Sequence, residues 1–380
     1  MFSWRNKPLS NLGERSSNNE KNIRKIAMGK MANKHTNVEA LISEMAQKSR
    51  IAQSRLGKSE FKIRCAALQA AATGIRAQSA AILDVNTEDV GRVTANGISE
   101  AFIDRLTLDE TRVESMAAGL EAMTNLPDPL GTELARWQQP SGLDIARIST
   151  PLGVIGVIYE SRPNVTVDAA GLCIIAGNGA ILRGGSDSRL TNNLLAKIMS
   201  EGLEAAGLPR DTVQIVPTVD RRAVGAMLGA VGEIDVLIPR GGHSLVERVQ
   251  TEARVPVFAH LQGICHLYIH SGADQKKARA ITLNSKMRRT GICGAAETLL
   301  IDKNIADDLL IKISSDLLAT GCELRGDITA CELVPEMTAA SEVDWHTEYL
   351  DSILSIRVVD DIEMAIAHIT KYGSSHTESI

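Results

Sequence analysis

The amino-acid sequence predicts an α/β protein made of two doubly wound domains and a protruding β-hairpin. Three observations predict it. Continuous β-branched runs such as Gly153–Tyr159 (GVIGVIY) alternate with helical segments, as in parallel βαβ units buried on both faces. The alternation stops near Pro256 and then restarts, so there are two sheets. Ahead of the first run, two short strand-like segments flank Pro140-Ser141-Gly142, a hairpin signal.

The 380 residues suffice for two or three domains with a sizeable core. Hydrophobic residues make up 44%, charged residues 23%, and the net charge is -5, as in an ordinary globular chain. With aromatics at only 3%, stacking platforms for single-stranded nucleic acid are not expected. The mild acidity gives no electrostatic reason for nucleic acid or an anionic membrane as partner. No apolar run reaches the length of a transmembrane helix. Six scattered cysteines without a CxxC pair point to reduced thiols and a cytoplasmic location.

Residues 1–34 are Ser- and Asn-rich, and eight basic residues there face only Glu14 and Glu20, so disorder is expected. Such a leader fits a transit peptide, or an upstream extension of a chain beginning at Met28 or Met31; the extension is favoured. Residues 35–258 are expected to form a dinucleotide-binding domain and 259–380 a catalytic domain. Val38, Leu41, Ile42 and Met45 mark one helical face. Helices follow over Glu60–Gln78, Ser79–Thr94 and Leu108–Asn125, until Pro127 and Pro129 stop them. Thr132–Gln138 and Leu143–Thr150 form the hairpin, which either pairs with another chain or is a plain surface ribbon.

In the first α/β domain, strands Gly153–Tyr159, Ala180–Arg183, Thr212–Val216 and Ile234–Ile238 alternate with helices Val165–Ala176, Ser186–Ala206, Arg221–Ala230 and Gly242–Thr251. Ser186 is the expected cap of its helix. In the second, strands His266–Ile269, Thr298–Ile301 and Ser352–Val359 alternate with helices Ala273–Lys286, Ala306–Ala319 and Ile362–Tyr372.

Chemistry concentrates in Asn284–Glu297 (NSKMRRTGICGAAE). Cys293 lies between Gly291 and Gly294, just after Arg288 and Arg289. Nearby guanidinium groups favour the thiolate, which is the nucleophile. The same residues also suit a small buried cysteine in a glycine turn. Two further stretches, Arg183-Gly184-Gly185-Ser186 and Pro239-Arg240-Gly241-Gly242, lead from a strand into a helix N-terminus. That place seats anions. Twice in one sheet, it suits a dinucleotide; two glycine turns with surface arginines are the other reading. Gly185 stands where an ATP loop needs lysine, so ATP is rejected. His260, Cys265, His266 and His270 do not make a metal site, because Cys265 and His266 point to opposite faces of a strand.

Several blocks together resemble the γ-glutamyl phosphate reductase family of the aldehyde dehydrogenase superfamily. They are Tyr159-Glu-Ser-Arg-Pro-Asn-Val-Thr166, Ile181-Leu-Arg-Gly-Gly-Ser186, Ile238-Pro-Arg-Gly-Gly-His243, Arg289-Thr-Gly-Ile-Cys-Gly294 and the Val359–Ile380 segment. The resemblance spans Met31 to Ile380. It implies an aldehyde dehydrogenase-like fold and NADPH-dependent reduction of L-glutamyl 5-phosphate through a thioester on Cys293. It implies Asn164 as an oxyanion donor, Arg183 on the adenosine ribose and Glu348 on the nicotinamide ribose. Arg162, Arg288 and Arg289 are the candidate substrate-binding residues. Glutamate 5-kinase is the implied source of the substrate, and the hairpin implies a homo-oligomer. Oxidising relatives carry a general-base Glu in a Glu-Leu-Gly-Gly-Lys block; here the stretch is His260-Leu-Gln-Gly-Ile-Cys265, without a carboxylate. The family continues past Ile380, so the chain is expected to be a fragment. A hydrolytic aldehyde dehydrogenase and an inactive fragment are the alternatives.

Overall fold

The computed structural model describes residues 38–95, 100–259 and 261–380. The leader expected over 1–34 lies outside the described residues. The chain divides into two compact units, one ending at Ala259 and the other running on to Ile380.

The first unit opens with helices α1 (38–56), α2 (Phe61–Ala77), α3 (Ser79–Thr94), α4 (Glu100–Leu106) and α5 (Glu110–Met123). Asp109 starts α5 by accepting from the Arg112 N–H. The hairpin follows as β1 (Glu133–Gln138) and β2 (Asp144–Ile148), paired antiparallel. It leaves Leu134, Trp137, Leu143 and Ile148 exposed.

Next come β3 (Val154–Tyr159), α6 (Asn164–Ile175), β4 (Gly179–Arg183), α7 (Arg189–Ala205), β5 (Val213–Ile215), α8 (Arg222–Gly229), β6 (Val236–Arg240) and α9 (His243–Glu252). The sheet is parallel, in the order β5-β4-β3-β6. Strand side chains alternate between its faces. Val157 and Leu182 join Leu68, Leu120 and Ile174 in one core; Ile158 and Ile181 join Ile42, Met227 and Val249 in the other. Burial on both faces is why these strands read as unbroken apolar runs. Pro239 is tolerated because β6 is an edge strand. The chain winds outward from β3 to β5, then returns to the other side of β3. The carboxyl ends of β3 and β6 therefore flank the switch point, where doubly wound sheets bind ligands.

The second unit contains β7 (Cys265–Ile269), α10 (Gln275–Met287), β8 (Ala296–Asp302), α11 (Lys303–Ala319), β9 (Glu323–Gly326), α12 (Ile328–Leu333), β10 (Thr338–Ala339), α13 (Glu342–Trp345), β11 (Ile353–Val359), α14 (Ile362–Tyr372) and β12 (Glu378–Ser379). Its sheet order is β10-β9-β11-β8-β7-β12, parallel throughout. Asp274, Asp302, Asp327 and Asp361 cap α10, α11, α12 and α14 through backbone N–H groups. The elements between α11 and β11 were not expected. Strand β9 (ELRG) is short and charged, and its pairing with β11 makes it a strand.

Candidate active site

In the second unit the Cys293 loop joins the end of α10 to the start of β8. Cys293 is half-buried, between exposed Gly291 and Gly294. The Cys265 thiol, at the start of β7, donates to the Cys293 carbonyl at 3.1 Å. Gly263 lies against the same carbonyl. A Cβ there would come 2.1 Å from the Cys293 oxygen and 3.0 Å from Glu348 Oε1. The fold therefore brings the Cys293 carbonyl and the Glu348 carboxylate, far apart in sequence, up against one glycine. Arg288 and Arg289 are exposed, and their side chains have no hydrogen-bond or ion-pair partner among the described residues. Both guanidinium groups are open to an anionic ligand. Burial pushes the Cys173 thiol up to about 12 and those of Cys265 and Cys322 up to about 11, so these three are poor nucleophiles at neutral pH.

Both ends of that loop are tied. Lys286, near the end of α10, bonds Glu297 in β8 at 2.6 Å, and both side chains are essentially inaccessible. Burial pushes the Glu297 carboxyl up, against the pull of the Lys286 ammonium. Its other oxygen accepts from the Leu350 N–H at 3.2 Å.

In the first unit the expected residues gather at the carboxyl ends of β3, β4 and β6. Ser161, just after β3, is buried with φ +38°, a strained backbone for a non-glycine residue. Asn164 begins α6, exposed, with Nδ2 donating to Asp168 at 2.9 Å. Arg162 is half-buried beside them. A buried chain runs from the Tyr159 hydroxyl to Thr166 (2.7 Å), on to Asn192 (3.2 Å) and then to Ser188 (2.9 Å). It links the start of α6 to the turn after β4.

Two expectations are corrected. Ser186 does not cap α7: a 3-10 turn, Ser186–Ser188, comes first, and α7 starts at Arg189. Nor is the α7 N-terminus an open anion seat. The buried Asp89 carboxylate accepts from the Thr191 N–H at 2.9 Å, the Thr191 hydroxyl at 2.8 Å and the Leu190 N–H at 3.4 Å. A protein carboxylate already satisfies that end and its dipole. In the second seat the Gly242 N–H donates to Glu160 Oε2 at 2.9 Å, but Glu160 is exposed and able to move away. Arg240 is exposed at the end of β6. Arg183 is largely buried; its guanidinium donates to the Gly184 and Val219 carbonyls, and Nε has no partner among the described residues.

Sequence reasoning missed Asp89, Glu160, Gly263, Cys265, Lys286 and Glu297. Glu160, Gly263, Cys265, Lys286 and Glu297 lie inside stretches singled out above, but nothing local marked a role for them; Asp89 lies in a plain helix. No described helix is long and apolar enough to cross a membrane.

The aldehyde dehydrogenase family model matches residues 14–320. A γ-glutamyl phosphate reductase of Brucella suis biovar 1 is 53% identical over 344 residues, 90% of this chain and 82% of that protein. One from Methylorubrum populi is 54% identical, over 90% and 80%. Among solved structures, γ-glutamyl phosphate reductase of Thermotoga maritima superposes with a TM-score of 0.83 at 38% identity, covering 89% of this chain and 82% of its own. An acetylating aldehyde dehydrogenase of Geobacillus thermoglucosidasius shares the fold at 16% identity and a TM-score of 0.60, over 90% and 81%. The chain belongs to the aldehyde dehydrogenase family of oxidoreductases and, within it, to the γ-glutamyl phosphate reductases.

Proposed function

We propose that this chain reduces L-glutamyl 5-phosphate to L-glutamate 5-semialdehyde with NADPH, releasing phosphate, in the route from glutamate to proline. The observation that carries this reading is the half-buried Cys293, placed with Glu348 against Gly263 in a unit whose 260–265 stretch offers no carboxylate base.

Cys293 attacks the acyl carbon as thiolate. The bond from that carbon to the phosphate oxygen breaks, phosphate leaves, and a thioester forms. Once the acyl carbon is reduced, the carbon–sulfur bond breaks, the aldehyde departs and the thiolate returns. The Cys293 N–H and the Asn164 side chain are the proposed oxyanion donors, each worth roughly 3 kcal/mol. Arg162, Arg288 and Arg289 are proposed to hold the substrate's phosphate and carboxylate. The 260–265 stretch carries no carboxylate to activate water, which favours transfer to phosphate over hydrolysis of the thioester.

A nicotinamide dinucleotide fits the first unit. A Cβ at Gly184 would come 2.2 Å from the buried Asn192 Nδ2 and 3.1 Å from the Tyr159 ring, so that turn holds backbone where a side chain cannot go, while Gly241 lies against the mobile end of Glu160. Gly185, Ser186, Pro239 and Gly242 complete these turns. The unpartnered, buried Arg183 Nε and exposed Arg240 supply positive charge beside them. The cofactor supplies the hydride when bound; Glu348 would hold its nicotinamide ribose and Arg183 the adenosine end. The exposed apolar hairpin supports a homo-oligomer, and transfer of the labile acyl phosphate from glutamate 5-kinase belongs to the same reading, in the cytoplasm.

The test follows NADP+ reduction by glutamate semialdehyde. Turnover is expected only when phosphate is present. Oxidation at the same rate in phosphate-free buffer refutes the reductase reading.

A further inference from the structure

We propose that Glu297 is a positioning residue that locks the Glu348 turn to the Cys293 loop. The proposal rests on the reading that Glu348 grips the cofactor.

Lys286 precedes Cys293 by one helical end, and Glu297 follows it at the head of β8, so their 2.6 Å bond closes the nucleophile loop at its base. The second Glu297 oxygen reaches out of the loop to the Leu350 N–H at 3.2 Å. Leu350 holds φ +53°, a conformation that an aliphatic side chain rarely adopts and that needs outside support. The Lys286 ammonium also lies 5.9 Å from the centre of the Tyr349 ring. Two residues before Leu350, the Glu348 carboxylate stands against Gly263 and, through it, the Cys293 carbonyl. One carboxylate thus fixes both ends of the nucleophile loop and the turn that carries Glu348.

Stability alone does not account for the pair. A buried ion pair replaced by packed apolar residues is often neutral or stabilising, whereas loss of one partner is costly. Placement, however, is sensitive: a shift of about 1 Å can cost on the order of a hundredfold in rate.

The experiment compares two double variants, both without the buried charges. Lys286→Met with Glu297→Gln keeps an oxygen for Leu350; Lys286→Met with Glu297→Leu does not. Melting temperature, NADPH affinity by fluorescence, KM and kcat, and hydrogen exchange at Leu350 are read for each. The Gln pair keeps the Leu350 tie and is expected to retain parent-like Leu350 exchange and NADPH affinity. The Leu pair is expected to melt no lower, to exchange faster at Leu350, and to bind NADPH about tenfold more weakly. If the Leu pair does not fold, Glu297→Asp serves, being one methylene too short to reach both partners. Equal Leu350 exchange and equal NADPH affinity in the two pairs overturn the proposal. If the parent chain shows no phosphate-dependent turnover, the functional reading is at fault, while Leu350 exchange still decides the lock.

Discussion

In the first unit the residues that point to chemistry come after their strands: Ser161 after β3, Gly184 after β4, Gly241 and Gly242 after β6. In the second they come before them, Gly263 ahead of β7 and Cys293 ahead of β8. The difference is electrostatic. After β3 and β6 the chain leads into helix N-termini, whose partial positive charge suits an anionic ligand held without covalent bonds, whereas at the start of α7 the Asp89 carboxylate takes that place. The Cys293 loop instead leaves the C-terminus of α10, an end that offers no free helix N–H groups to an anion. The cations next to it in sequence are Arg288 and Arg289, both exposed and unpartnered among the described residues. On the proposed reading, the first unit seats the adenosine end of the cofactor and the second carries the nucleophile.

The sharpest way to break this division is Cys293→Ala. Turnover should fall by about 10^4-fold or more, with NADPH affinity unchanged by fluorescence titration. A large loss of NADPH affinity in that variant would undo the separation of roles.

Gly263→Ala comes next. Its methyl would land 2.1 Å from the Cys293 oxygen and must displace the nucleophile loop or the Glu348 turn. We expect roughly a hundredfold loss of kcat/KM and a stability loss of about 1–3 kcal/mol. Unchanged kinetics would mean that the two segments move together without consequence.

In the first unit, Asp89→Ala removes the carboxylate that satisfies the start of α7. A cap of this kind is worth about 0.5–2 kcal/mol, read from denaturant midpoints. Glu160→Gln should act smaller and in the opposite sense. It removes a negative charge from the Gly242 N–H. If a cofactor phosphate takes that place, NADPH KM drops about two- to fivefold, the equivalent of 0.3–1 kcal/mol at a helix end. A rise in KM would assign Glu160 to the ligand instead.

A pH experiment separates the units themselves. His368 lies buried in the second unit, edge-on to Trp345 and with Nδ1 at 3.0 Å from Arg357. Burial, then His266, Arg357 and Lys371, hold its pKa down to about 3 from 6.5. Above pH 6.5 the ring is neutral folded or unfolded and adds no pH dependence. Between 6.5 and 3 the unfolded chain takes a proton that the folded chain refuses, so stability falls as pH falls. Protection factors, exchange taken relative to the intrinsic amide rate at each pH, should fall first in β7 and β8 as the pH is lowered from 7 to 5, and His368→Gln should flatten the change.

Much of this was legible in the sequence because it is written in short-range patterns. The alternating strands of the first unit announce themselves because both sheet faces are covered. Cys293 and its glycines are contiguous, as are the two Arg-Gly-Gly turns. What was not legible depends on pairing across the chain. Asp89 and Thr191 are a hundred residues apart, and no local rule says that a carboxylate in α3 fills the start of α7. Gly263 is an ordinary glycine until Cys293 and Glu348 are folded against it. Strand β9 carries two charges in four residues and exists because β11 lies beside it.

The most direct test of the central claim is to mix the enzyme with glutamate semialdehyde and NADP+ in phosphate-free buffer, quench it, and map the peptides by mass spectrometry. A glutamyl thioester on the peptide bearing Cys293, discharged when phosphate is added before the quench, is the predicted result. An unmodified Cys293, or an acyl group that water removes as fast as phosphate does, would contradict it.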